Sequence, residues 1–322
     1  ITFGQSVHLL TMGDGMFARS GFRSIMIPAH VVALGKSCFE ECQSLASVTF
    51  ESGSQLQEFG ERVFAHSNLP SICIPSSVER LGGACFTECT SLLTVTFDPG
   101  SHLTSIEAGV FTVAFEMPNL QSIVIPSRVK VLAAKCFANY RSLSSVIFEF
   151  PSQLRVIGDH ALANSGIEFM TVPSSVEELG EWSFADCRSL GSITFESDSR
   201  LSRIGACAFL RSSLSSICIP SSVTVIGGDC FAGCQSLGTV TFEPNAQLSR
   251  IESEAFIDSG LQSIVLPRSV DVLERRCFSL CPYLTSVTFE GGPRPREIGF
   301  AVFSESPVQE AFQIRVSSCN VA

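Results

Sequence analysis

Fourteen cysteines are the residues of this 322-residue chain best suited to chemistry. Cys38/Cys42, Cys85/Cys89, Cys230/Cys234 and Cys277/Cys281 share a C-x-x-x-C spacing that zinc sites use. The pairs recur in a repeating unit, and the nearest equivalent pair lies two rungs away, ~10 Å by strand spacing. Tetrahedral zinc needs its sulfurs within ~4 Å of one another, given Zn–S bonds of ~2.3 Å. No metal site is expected. Tyr140 and Ser183 occupy equivalent positions, so the columns tolerate loss of a thiol. The residues read best as buried free thiols packing as small hydrophobes. A strained disulfide within a rung is the alternative, and Cys207 with Cys230 is the one cross-rung pair worth testing. The redox compartment is unreadable from them.

The acids form a second pattern. Glu51, Asp98, Glu149, Glu196, Glu243 and Glu290 follow one kind of strand, and Pro28, Pro75, Pro126, Pro173, Pro220 and Pro267 take the matching place after the other. Acids on alternate rungs are ~10 Å apart, too far to share a calcium ion whose ligands lie within ~2.6 Å. A solvated edge that limits sideways association is the first reading, and a docking stripe for a cationic partner the second. The five histidines, His8, His30, His66, His102 and His160, fall in unrelated places with no recurring Ser, Asp or Cys beside them. No catalytic residue, no cofactor and no enzyme activity is expected.

The elements that position these residues are repeats. Leu69-Pro-Ser-Ile-Cys-Ile-Pro-Ser-Ser-Val78 returns as Leu214-Ser-Ser-Ile-Cys-Ile-Pro-Ser-Ser-Val223. Units beginning at Phe22, Leu69, Leu120, Ile167, Leu214 and Leu261 alternate with units beginning at Leu45, Leu92, Leu143, Leu190, Leu237 and Leu284. Unit lengths of 23 and 24 residues alternate, apart from a four-residue insertion near Thr112–Asn119. Each unit reads as a short alternating strand, a turn and a compact segment of one or two helical turns. Ile72, Ile74, Val78, Leu81 and Phe86 are expected to face inward. Phe17, Phe39, Phe64, Phe86, Phe111, Phe137, Phe184, Phe209, Phe231, Phe256, Phe278 and Phe303 form an aromatic core column that Leu162 alone interrupts. A glycine column (Gly13, Gly35, Gly60, Gly82, Gly158, Gly180, Gly205, Gly227 and Gly299) precedes it. Glu107, Ala133, Glu252 and Glu274 replace glycine in that column, which therefore reads as a permissive helix start, with no obligatory positive φ.

The phrase Ile-Pro-Ser-Ser-Val-x-x-Leu-Gly-x-x-Cys-Phe-x-x-Cys-x-Ser-Leu resembles the BspA-type leucine-rich repeat over about residues 2 to 307. The resemblance implies an α/β fold: a right-handed leucine-rich repeat solenoid, a parallel β-sheet on one face and short helical or 3-10 segments on the other. It implies one solenoid of about 13 rungs over 1–307, the first partial, with 308–322 a degenerate repeat or cap. It further implies a non-enzymatic surface or secreted module for protein binding or adhesion, located outside the cell or on its surface, with a protein or host-surface ligand. The rival is a structural protein that stacks end to end into a fibre.

Composition narrows the partners. Hydrophobic residues are 45% and charged residues 16%, and the net charge is -10. No apolar run approaches the ~18 residues of a membrane span, and no basic run exceeds Arg275-Arg276, so nucleic acid is not expected. The chain opens in mid-repeat at Ile1-Thr2-Phe3, which suggests a portion of a longer protein. The outward strand positions, from Ser24 and Met26 to Ser286 and Thr288, carry no charge. They serve either as a ladder that holds the sheet together or as a binding surface, and regular hydroxyl ladders also suit ice. The insertion carries Phe115 and Met117. With Val124, Ile147 and Phe169 on the strands, these residues form a candidate contact patch for a partner or for self-association.

Overall fold

A rung of 23 or 24 residues is too short to satisfy its own backbone or bury its own apolar face, so its N–H and C=O groups must find partners in the next rung. The computed structural model shows this arrangement, and it describes residues 3, 9–112, 119–291 and 295–309. The chain divides into two compact units, Ile1–Ile167 and Glu168–Ala322. Each is a stack of parallel rungs.

In the first unit the four-residue strands are Ser24–Ile27, Ser47–Phe50, Ser71–Ile74, Thr94–Phe97, Ser122–Ile125 and Ser145–Phe148. In the second they are Phe169–Val172, Ser192–Phe195, Ser216–Ile219, Thr239–Phe242, Ser263–Leu266 and Ser286–Phe289. A second ladder of two-residue strands stacks in parallel beside them. In the first unit it brings Met12 against Leu34, Leu34 against Phe59 and Phe59 against Leu81. In the second, Leu179 pairs with Ile204 and Ile204 with Ile226. Alternation holds as read from the sequence: Ile72, Ile74, Val78, Leu81 and Phe86 are all buried.

The remaining side of each rung is not helical. The expected short helical or 3-10 segments are replaced, in the described rungs, by tight turns. Cys38 N–H closes on Gly35 C=O and Glu40 N–H on Ser37 C=O, while Ser37, Phe39 and Glu41 donate instead to Glu61, Val63 and Ala65 of the next rung. Alternate N–H groups therefore leave the rung. A helix would keep them all within one segment. Two residues per rung, four apart, adopt positive φ: Ser37 and Glu41, Arg62 and His66, Trp182 and Asp186, Glu254 and Asp258. The left-handed conformation does not propagate as a helix in L-residues.

The aromatic column forms a stack within each unit. Ring centroids are 5.4 Å apart for Phe17–Phe39, 5.3 Å for Phe39–Phe64 and 5.0 Å for Phe111–Phe137. In the second unit they are 5.3 Å for Phe184–Phe209 and 5.0 Å for Phe231–Phe256. Near-parallel planes at this distance are the offset packing that aromatic quadrupoles favour. Leu162 takes the place of a ring and is fully buried.

The glycine column has a different cause from the one its sequence suggests. None of its members has positive φ. A Cβ on Gly60 would stand 2.6 Å from Gly35 C, and one on Gly82 would stand 2.6 Å from Gly60 C. Glycine is favoured at these two places because consecutive rungs touch backbone to backbone, whereas Glu107, Glu252 and Glu274 carry a Cβ at the same place in other rungs. Beside Ala133 the approach is looser, and a Cβ on Gly158 would meet its nearest backbone atom at 2.9 Å. At Gly13 nothing among the described residues lies within 4 Å. Gly82→Ala is therefore expected to cost ~1–3 kcal/mol, the range for overpacking, and Gly13→Ala less than ~0.5 kcal/mol. Urea unfolding of the two variants checks the contrast.

Candidate binding face

The four-residue strands turn alternate side chains outward, and each unit presents them as one face. In the first unit strands associate as pairs: Ser24–Ile27 with Ser47–Phe50, Ser71–Ile74 with Thr94–Phe97, and Ser122–Ile125 with Ser145–Phe148. All four residues of each strand find partners within a pair. Between pairs no ladder is formed in this unit. In the second unit the same junctions are reduced to Ser192 with Ser216 in one case, and to Thr239 with Ser263 and Val240 with Ile264 in the other.

The alternation of acid and proline explains this grouping. Within a pair, Glu51 N–H donates to Ile27 C=O at 3.0 Å, and Glu243 N–H to Ile219 C=O at 3.0 Å. One rung later the equivalent residue is Pro75 or Pro267, which has no N–H to give to the carbonyl of Phe50 or Phe242. The acids also act through their side chains. Glu51 accepts a hydrogen bond from Ala29 N–H at 3.0 Å, Glu149 from Ser127 N–H at 3.0 Å, Glu196 from Ser174 N–H at 2.9 Å and Glu243 from Ser221 N–H at 2.8 Å. Asp98, shorter by one methylene, instead accepts from Cys73 Sγ at 3.2 Å. Glu51 and Glu149 are exposed and Glu196 and Glu243 half-buried, and beyond the edge expected from the sequence each caps the turn of the preceding rung and joins two rungs into a 47-residue pair.

Where the ladder lapses, the sheet opens into grooves. One of about 410 Å³ is lined by Thr49, Phe50, Glu51, Cys73, Pro75 and Asp98. Another of about 400 Å³, in the second unit, is lined by Phe242, Glu243, Pro244, Val265, Pro267 and Glu290. The strand-end phenylalanines Phe50 and Phe242 are half-buried, whereas Ile74 and Ile219 at the same place on the other strands are fully buried. The sequence holds the signal for these grooves, in its Glu/Pro alternation.

Of the expected contact patch, Val124 and Ile147 are brought together as register partners on adjacent strands. They are 46% and 52% exposed, and Phe169, on the first strand of the other unit, is 58% exposed. Phe115 and Met117 lie outside the described residues. Met26 and Val265 add exposed apolar side chains to the outward columns, and Thr171 and Thr194 link their hydroxyls at 3.1 Å.

The cysteines in the described rungs are free thiols. That includes Cys207 and Cys230, so the cross-rung disulfide is not formed. The second cysteine of each pair has a fixed partner: Cys42, Cys89, Cys234 and Cys281 donate to the carbonyls of Phe17, Phe64, Phe209 and Phe256 at 3.0–3.1 Å. Burial pushes the Cys38 and Cys89 thiols up to about 12 and Cys234 up to about 11. They stay protonated and unreactive at neutral pH. No group of three or more metal-ligating side chains occurs among the described residues. Ser183 and Tyr140, which stand in the two cysteine columns, bury hydroxyls that have no hydrogen-bond partner among the described residues.

The sequence model of the BspA type leucine-rich repeat region matches residues 10–114, 112–223 and 202–318, in six copies. The chain belongs to the BspA-type leucine-rich repeat family. Among solved structures, this BspA-type chain is similar to a leucine-rich repeat protein from Bacteroides ovatus. The two share 24% identity with a TM-score of 0.66 over 92% of this chain and 80% of that one. It is also similar to the pneumococcal vaccine antigen PcpA, at 22% identity and TM-score 0.48 over 89% and 67% of the two chains. A leucine rich cell surface protein from Faecalibacterium prausnitzii is 22% identical with a TM-score of 0.40, over 90% and 86%. The Bacteroides likeness shows the fold: a parallel β-solenoid of stacked coils. No curated protein matches.

Three outcomes follow for the cysteines of this BspA-type chain and the columns they form. Alkylation at pH 8 is expected to label the exposed Cys73 and Cys218 and to leave the buried thiols of the described rungs intact, as peptide mapping reads. Reductant is expected to leave Tm unchanged, since a lost native disulfide would lower stability by ~2–4 kcal/mol. Ser183→Cys, which removes a buried unsatisfied hydroxyl, is expected to raise stability by ~1 kcal/mol, the low end of that penalty. Denaturant unfolding measures it.

Proposed function

We propose that this chain is a non-enzymatic protein-binding or adhesion module that works outside the cell or on its surface. In this reading it engages its partner through the outward face of its four-residue strands. The observation that carries the reading is that face itself. Its two outward columns hold no charged residue in either unit, and they expose Met26, Val124, Ile147, Phe169 and Val265 on a rigid hydrogen-bonded scaffold. Large exposed side chains on a neutral sheet mark interaction surfaces rather than solvated ones. Family membership supports a protein-binding role, because leucine-rich repeats generally mediate protein interactions. In the first unit we assign the contact to Val124 and Ile147, with Phe115 and Met117 of the insertion as further candidates, and in the second unit to Phe169 by itself. The rival end-to-end fibre would use the chain's ends, and residues 1–2, 4–8 and 310–322 lie outside the described residues.

Beads coated with the full chain, scored for adhesion to protein-coated surfaces and cultured cells, test the proposal. Val124→Lys with Ile147→Lys places two charges at exposed positions, and Phe115→Ser, Met117→Ser and Phe169→Ser together remove the aromatic part of the patch. Each variant is expected to lose adhesion at least ~10-fold, as for an interface hot spot worth more than ~1 kcal/mol, with an unchanged circular dichroism spectrum. Full adhesion by both folded variants contradicts the assignment.

A further inference from the structure

The grooves on the strand face lie beside acids that no cation compensates. On the turn side several acids are neutralised by arginines or lysines of neighbouring rungs: Arg19–Glu41 at 3.0 Å, Lys36–Glu61 at 2.9 Å, Arg250–Glu274 at 2.7 Å and Arg275–Glu254 at 3.0 Å. At the strand edge of the second unit, Glu196, Glu243 and Glu290 take part in none of the ion pairs among the described residues. Glu196 and Glu243 each engage one carboxylate oxygen with a turn N–H. Glu243 and Glu290 both line the groove floored by Phe242, Pro267 and Val265. An apolar slot thus runs between uncompensated carboxylates, in a chain of net charge -10.

The spacing of those carboxylates selects a ligand shape. They recur every second rung, about 9.6 Å at the usual strand separation. A polyproline II helix turns once every three residues at ~3.1 Å each, so side chains at i, i+3 and i+6 lie on one side at a pitch of ~9.3 Å. A β-strand sends i and i+3 to opposite sides. An α-helix matches the spacing only through i, i+7, at ~10.5 Å. Proline rings also suit a floor of Phe242 and Pro267, the kind of surface that receives polyproline segments elsewhere.

We infer that the strand edge of the second unit, at Glu196, Glu243 and Glu290, docks a proline-rich segment of a partner protein in the polyproline II conformation, with a lysine or arginine at every third residue. The inference rests on the reading of this chain as a protein-binding module and names the partner chemistry for one edge of the same face. Each cation meets one carboxylate, and the prolines between them fill the slot beside Phe242. A single exposed ion pair contributes little. Three held at matched pitch on a preformed helix act together.

The probe is a fluorescent Pro-Pro-Lys repeat of nine residues, titrated with the full chain by anisotropy at low and physiological salt. Two comparison peptides carry three lysines at every fourth residue of a polyproline II sequence, or at every seventh residue of a helical one. The Pro-Pro-Lys peptide is expected to bind at least ~10-fold tighter than either. Glu196→Gln, Glu243→Gln and Glu290→Gln together keep an acceptor oxygen for the turn caps and are expected to weaken it at least ~10-fold. Glu181→Gln, Glu254→Gln and Asp258→Asn, which remove the same charge from the turn side, are expected to leave binding within twofold. Equal binding of all three peptides, preference for the helical one, or equal loss in both charge variants overturns the inference. A chain that adheres through its face yet ignores the Pro-Pro-Lys peptide overturns this inference alone. A chain that fails in both assays overturns the binding-module reading as well.

Discussion

The structure depends on one constraint: every rung must give most of its backbone hydrogen bonds to its neighbours, and only parallel, in-register stacking allows that for identical rungs. Each side of the rung meets the demand differently. The four-residue strands ladder in one direction, with Glu51 N–H donating back to Ile27 C=O. The turn side ladders in the other, with Phe39 N–H donating forward to Val63 C=O. Side chains then stack at the same period, so a phenylalanine in one rung finds a phenylalanine in the next. Every column becomes a choice made once and repeated. The glycines follow from the same closeness, because backbones that touch leave no room for a Cβ.

Against that uniform ladder, the Glu/Pro alternation is the device that introduces structure at a longer period. Proline withholds one N–H per pair of rungs, and glutamate supplies both a backbone donor and a side-chain cap. The result is a stack of paired rungs, with the ladder lapsed or reduced between pairs. The lapses are where half-buried phenylalanines and carboxylates come together, so the feature that weakens the sheet is also the one that shapes its surface. The cost to the fold is small, since a net hydrogen bond is worth ~0.5–1.5 kcal/mol, and the stacked rings and aliphatic columns beneath are unbroken within each unit.

Much of this was legible in the sequence. Period, strand positions, inward residues and the aromatic column all follow from spacing, because a repeat states its own alignment. What was not legible depended on geometry between rungs. The turn segments look helical by their Val-x-x-Leu-Gly-x-x-Cys-Phe spacing, yet positive φ at residues such as Ser37, Trp182 and Glu254 has no side-chain signal. The glycine column read as permissive because Ala133 and Glu107 share it, and only the distance from Gly82 to the backbone of Gly60 shows the constraint. The capping role of the acids was not legible, since nothing in one dimension places Glu243 beside Ser221 N–H, twenty-two residues earlier. The C-x-x-x-C cysteines are the buried thiols their spacing suggests, but the acceptors of the second thiol in each pair, the carbonyls of the phenylalanine column, needed the fold.

Residue-resolved amide hydrogen exchange on the full chain tests the pairing of rungs most directly. Thr49 and Thr96 lie on strands laddered within a pair, whereas Cys73 faces a junction where Pro75 interrupts the ladder. The account predicts that the Cys73 amide exchanges at least ~10-fold faster than those of Thr49 and Thr96, the equivalent of about one net hydrogen bond. Equal protection of all three amides would show an uninterrupted sheet and contradict it.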